Sequence, residues 1–168
     1  MLPISLVVGI AALIVVTGVF AGTEVKDVIR FENEAYKKHK RPITVFSHKK
    51  HHDDYLKKYP EFYESPCGEC HHDKDNKKLV NLKEGDEVKN CIECHKKPVF
   101  ITGKKARKLT KEQKREYHGN ALHDNCKDCH KKYNKTYKKK SKSEGYAPNT
   151  CKTCHPKEKK KKWQRADI

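Results

Sequence analysis

The sequence predicts a small, mostly α-helical fold with irregular loops and a short two-stranded β element, organised around something other than an apolar core. Three observations predict this. Only 35% of the 168 residues are hydrophobic while 36% are charged, a balance that normally leaves a chain too polar to fold alone. No charged residue occurs from Leu2 to Thr23, so the remainder is poorer still in core-forming side chains. The chain also carries eight cysteines and eleven histidines, and they are not scattered. The length suits one domain, or one domain with an appendage.

Every cysteine falls in one five-residue pattern: Cys67-Gly-Glu-Cys70-His71, Cys91-Ile-Glu-Cys94-His95, Cys126-Lys-Asp-Cys129-His130 and Cys151-Lys-Thr-Cys154-His155. None is left over for a disulfide. Cys-x-x-Cys-His is the attachment signature of c-type haem. Two thiols about one helical turn apart add to the haem vinyl groups, and the next side chain ligates the iron. Zinc also uses paired Cys-x-x-Cys, but it does not require His at the following position. At this histidine content, a His after all four pairs arises by chance about once in 50,000. Thioredoxin-like chemistry lacks its βαβ context here. The expected architecture is therefore a multihaem cytochrome c fold with a core of four covalently bound haems.

His71, His95, His130 and His155 are the expected proximal ligands. The only methionine is Met1, which excludes the usual His/Met carrier. Seven further histidines remain, His39, His48, His51, His52, His72, His118 and His123, enough for bis-histidine ligation throughout. Such centres lack the thioether that raises the potential and have both axial positions closed. Electron transfer is then the expected role, and no catalytic constellation beyond the haems is present to support reductase chemistry at an open iron.

Phe46-Ser-His48-Lys-Lys-His51, followed by a first attachment site ending in His71-His72, resembles tetrahaem cytochrome c3, the class III cytochromes c, over residues 42–156. The resemblance implies the distal ligands by position: His48 opposite His71, His72 opposite His95, His51 opposite His130, and His123 opposite His155. Two alternatives stay open: His52 directly follows His51, and His118 precedes His123. His39 lies in a lysine-rich stretch and reads as a solvated side chain. If His71 and His72 serve different irons, their α-carbons are ~3.8 Å apart and the irons lie within ~17 Å. His48 and His51 tie two further sites together, so the spacing implies one redox cluster.

The elements follow in order. Residues 1–22 form an apolar run long enough to cross a bilayer as an N-terminal hydrophobic helix. Val19-Phe20-Ala21 would also suit signal cleavage, but no Lys or Arg precedes the run. Either reading exports the rest, placing the protein in or facing the periplasm. Residues 23–41 show Val25, Val28, Ile29, Glu32, Ala35 and Tyr36 at helical spacing, an expected helical stalk or linker. Ile43 to Phe46 reads as a strand entering the ligand motif. Thr110-Lys-Glu-Gln113 reads as a capping box opening a helix toward the third attachment site. Residues 73–90 and 135–148 read as loops, and 157–168 as a lysine-rich tail. The attachment sites recur at 24, 35 and 25 residues, which repeats a site and not a stackable unit.

The formal charge of +17 falls to about +13 once four ferric haems with ionised propionates are counted. Lysine runs at 138–142 and 157–162 either solvate the surface or steer the protein onto an acidic redox partner. The resemblance implies a hydrogenase or another exported dehydrogenase on one side and a membrane redox complex on the other. Tyr133, Tyr137 and Tyr146 interleave with lysines as in nucleic-acid binders, but export argues against that ligand. The competing expectation is a membrane-anchored tetrahaem quinol dehydrogenase of the NapC/NrfH kind. It fits the apolar run, but not the Phe-x-His-x-x-His element or the His71-His72 doublet.

Overall fold

The structure, a computed structural model, describes residues 25–157. The expected N-terminal hydrophobic helix and all of the lysine-rich tail beyond Lys157 lie outside the described residues. Among the described residues the architecture is helical and looped, with one small sheet. Strands β1 (Ile29–Arg30) and β2 (Val45–Phe46) pair antiparallel, with Ile29 opposite Phe46. A π-helical stretch at Lys50–Tyr55 runs directly into α1 (Leu56–Lys58), and a 3₁₀ turn follows at Pro60–Phe62. Then come α2 (Cys91–Cys94), α3 (Gly103–Arg107), α4 (Lys111–Arg115), the long α5 (His118–Thr136) and α6 (Cys151–Cys154).

The helical stalk expected over residues 23–41 is replaced, where described, by a strand and turns. The backbone of 27–31 lies alongside 44–49, with Phe31 N–H donating to the Thr44 carbonyl at 3.0 Å and Lys49 N–H to that of Asp27 at 3.2 Å. This pairing stacks Phe31 on Phe46 with centroids 5.6 Å apart. The β-branched Val25, Val28 and Ile29 suit extended backbone as well as a helical stripe, and long-range pairing decides between them. Beyond β1, Asn33 turns the chain by accepting from Ala35 N–H. Tyr36 then reaches the start of α5, its hydroxyl 2.9 Å from His118 Nδ1. The segment is thus part of the domain and not a spacer.

The expected capping box opens α4: Thr110 Oγ1 accepts from Gln113 N–H at 3.2 Å, and Gln113 Oε1 from Thr110 N–H at 2.9 Å. The helix does not run on to the third attachment site. It breaks at Glu116–Tyr117, because the first N–H groups of α5 are claimed by another segment: His118 N–H donates to Lys97 O and Gly119 N–H to Val99 O. Those groups have no partner within their own helix.

Phe62 is the only buried hydrophobic side chain among the described residues, alongside buried Ser65, His118, Asn120 and Asn134. Phe62 joins Tyr59, Tyr133 and Tyr137 in an aromatic cluster with centroids 5.0–6.2 Å apart. Two of the buried polar groups act as staples on α5. Asn120 exchanges two hydrogen bonds with the backbone of Ile101, and Asn134 two with that of Ala147. These contacts fix the flanking loops where few apolar contacts do so.

Candidate haem-binding site

Each Cys-x-x-Cys-His motif occupies a helical turn. The His N–H closes onto the carbonyl of the first Cys at 2.9 Å in the first, second and fourth motifs, and the third lies within α5. Asn90 with Glu93 and Thr150 with Thr153 cap the second and fourth turns. Each cysteine pair is thereby presented from one turn, and all eight cysteines are free of disulfides. Burial pushes up the thiols of Cys67, Cys91, Cys129 and Cys154, and those of Cys70 and Cys126 to about 12 and about 11. That is the opposite of the depressed thiol that redox chemistry or thiolate attack needs.

The histidines stand in pairs. Ring centroids are 6.3 Å apart for His48 and His71, 6.0 Å for His72 and His95, 6.1 Å for His51 and His130, and 6.1 Å for His123 and His155. A metal–imidazole bond of about 2 Å on each side, plus the depth of the rings, separates trans imidazole centroids by about 6.3 Å, whereas a tetrahedral centre brings two to about 5.1 Å. The spacing therefore suits a metal gripped from opposite faces. Among the described residues, no group of three or more His, Cys, Asp or Glu side chains is placed to hold a metal ion, so the donor sets come as opposed pairs. Around the first pair lies a cavity of about 250 Å³ lined by Phe46, His48, His51, Cys67, Cys70 and His71.

A second feature marks most of these eight histidines and none of the other three. Six of them direct Nδ1 at a backbone carbonyl: His51 at Ser47 (2.9 Å), His72 at Asp73 (2.7 Å), His155 at Pro42 (2.8 Å), His95 at Arg115, His123 at Gly119 and His130 at Pro148. A carbonyl only accepts, so Nδ1 carries a proton, and in the neutral ring Nε2 is then left as the bare electron-pair donor, the tautomer that metal ligation requires. Thr44 adds to this at His155, lying 3.1 Å from its Nδ1 while donating to Cys154 O at 3.0 Å. His48 Nδ1 is buried without a hydrogen-bond partner. Burial lowers the pKa of His51, His71 and His123, holding them neutral and able to ligate.

The remaining histidines differ. His52 faces the Asp53 carboxylate at 2.8 Å, His118 the Tyr36 hydroxyl, and exposed His39 stacks on Tyr36. The ring opposite His130 is that of His51, and the ring opposite His155 is that of His123. The carbonyls and the asparagine staples that present two of them are absent from the sequence reading, because a backbone acceptor leaves no residue-type signal. The donor set fits haem: paired thiols on one turn, with opposed imidazoles.

The class III cytochrome c family model matches residues 25–155, and the chain belongs to that family. Its members bind c-type haem and transfer electrons. The match begins at residue 25 and so includes the paired strand segment that the sequence reading assigns to a linker. No curated protein and no solved structure matches the chain.

Proposed function

We propose that this protein carries four covalent c-type haems, each ligated by two histidines, and relays low-potential electrons between an exported dehydrogenase such as a hydrogenase and membrane redox partners. The observation that carries this reading is the set of four imidazole pairs at 6.0–6.3 Å. Cys67 and Cys70, Cys91 and Cys94, Cys126 and Cys129, and Cys151 and Cys154 would hold the haems; His71, His95, His130 and His155 bind on one face. His48, His72, His51 and His123 bind on the other. When bound, haem supplies a one-electron iron couple that two imidazoles set low.

The chain's own contribution is to orient and connect. The carbonyls that hold protons on Nδ1 fix six imidazoles in the ligating tautomer. His71 and His72 join the first and second sites, and His48 and His51 the first and third. On α5, His123 and His130 lie seven residues apart, two turns along one face, and join the third and fourth. All four sites thus form one connected series. Two histidine ligands at each iron would leave no open position for oxygen or a substrate, which favours a carrier over a substrate-activating enzyme. Its excess of 39 Lys and Arg over 22 Asp and Glu favours an acidic partner.

The test is reduction of the purified full chain in detergent by a hydrogenase under hydrogen, compared with reduction by a quinol alone. The proposal expects hydrogen-dependent reduction of every haem at low potential. Reduction by quinol without any protein donor would overturn it in favour of a quinol dehydrogenase.

A further inference from the structure

We propose that Phe100 is a positioning residue for the fourth haem, its ring clamped on the face of His123 so that the imidazole keeps one orientation and is shielded from water. The inference rests on the ligation of that haem by His123 and His155 proposed above. Phe100 and His123 stack with centroids 4.2 Å apart and planes 25° apart, closer than any other aromatic pair among the described residues. Phe100 takes no part in the aromatic cluster around Phe62, and it remains 45% exposed. Core packing therefore does not account for its position.

The backbone around Phe100 is built to hold it there. Val99 accepts from Gly119 N–H at 3.3 Å. Ile101 N–H donates to Asn120 Oδ1 at 2.9 Å, and Asn120 Nδ2 to the Ile101 carbonyl at 3.1 Å. Phe100 is thus pinned on both sides to the first turn of α5. That approach requires glycine at 119, where a Cβ would lie 2.9 Å from Phe100 Cβ and 3.0 Å from its Cα. The carbonyl of the same Gly119 accepts from His123 Nδ1. One residue therefore supplies the imidazole's edge contact and admits the ring that covers its face. An edge bond and a face contact together determine the plane of the ring, and axial-ligand surroundings and solvent access are levers on a haem's potential.

The experiment uses the haem-loaded full chain and its Phe100→Leu and Phe100→Tyr variants, read by electron paramagnetic resonance of the oxidised protein and by spectroelectrochemical titration. The fourth haem's signal is identified as the one that turns high-spin in His123→Ala. Phe100→Leu is expected to keep four covalent haems, all low-spin, while the largest g value of that one signal shifts and its midpoint moves negative as water gains access. Phe100→Tyr is expected to restore both. Gly119→Ala, which displaces Phe100, is expected to shift the same signal. If the Leu variant loads fewer than four haems, Phe100→Met, which keeps the bulk without the ring, supplies the same comparison. Unchanged spectra and potentials in the ring-less variants, or equal shifts at every haem, would overturn the positioning role. A His123→Ala variant that leaves all four signals intact would instead overturn the ligation.

Discussion

His51 and His130 face each other with ring centroids 6.1 Å apart and planes inclined by 29°, although one sits in the π-helical stretch and the other on α5. His51 Nδ1 donates to the Ser47 carbonyl one turn earlier, which turns Nε2 toward its partner. His52, the next residue, has its Nδ1 on the Asp53 carboxylate. Replacing His51 with Ala should therefore convert one low-spin haem of the oxidised protein to high-spin and allow it to bind carbon monoxide when reduced. His52→Ala should leave all four low-spin. Optical and paramagnetic resonance spectra of the two variants check this directly, and the reverse outcome would move the ligand to His52.

His72 stands opposite His95 with centroids 6.0 Å apart. His72→Met should leave four haems attached but raise the potential of the haem on Cys91 and Cys94, by on the order of 0.1 V or more, because a thioether favours ferrous iron. Potentiometry with spectroscopic assignment reads the shift. No change at that centre would remove His72 from the ligand set.

Asn134 is buried and exchanges two hydrogen bonds with Ala147, which brings the Pro148 carbonyl onto His130 Nδ1. Asn134→Ala strands a backbone donor and acceptor and should destabilise the holoprotein by about 1–3 kcal/mol. Denaturant unfolding followed by the haem absorbance measures it. A loss within error of zero would mean that the loop is held by other contacts.

Tyr137 donates to the Glu61 carboxylate, which raises its own pKa to about 12 and lowers that of Glu61. A raised phenol stabilises the fold below its ordinary value near 10, and this contribution is lost as pH rises toward 12. The lowered carboxyl stabilises above its ordinary range and loses its contribution as pH falls through the depressed value. Tyr137→Phe should therefore lower stability at neutral pH and flatten the pH dependence on both limbs. Unfolding midpoints measured from acid to alkaline pH check this. Parallel wild-type and variant profiles would show that the contact does not persist in solution.

What the residues disclose unaided is local chemistry. The Cys-x-x-Cys-His turns are legible because one helical turn carries the whole device, and so are the Val45–Phe46 strand and the Thr110 capping box. The segment from Val25 to Arg41 misleads because its apolar spacing satisfies a helix equally well; only the remote Thr44–Lys49 backbone draws residues 27–31 into extended pairing. The break before His118 is hidden for the same reason, since Lys97 and Val99 lie in a separate loop. At the site, His51 and His52, or His118 and His123, are indistinguishable as residue types. Their difference lies in which ring reaches a carbonyl such as Ser47 or Gly119. Phe100 looks like one exposed aromatic until the fold sets it on His123.

The central claim is that four haems, covalently bound and each between two imidazoles, do the work that an apolar core and a single cofactor do elsewhere. The intact mass of the purified protein after acid–acetone extraction tests it most directly. The account predicts four haem masses above that of the polypeptide, and the same spectrum reports whether residues 1–21 remain. A mass equal to the polypeptide alone, or one raised only by zinc, would contradict it.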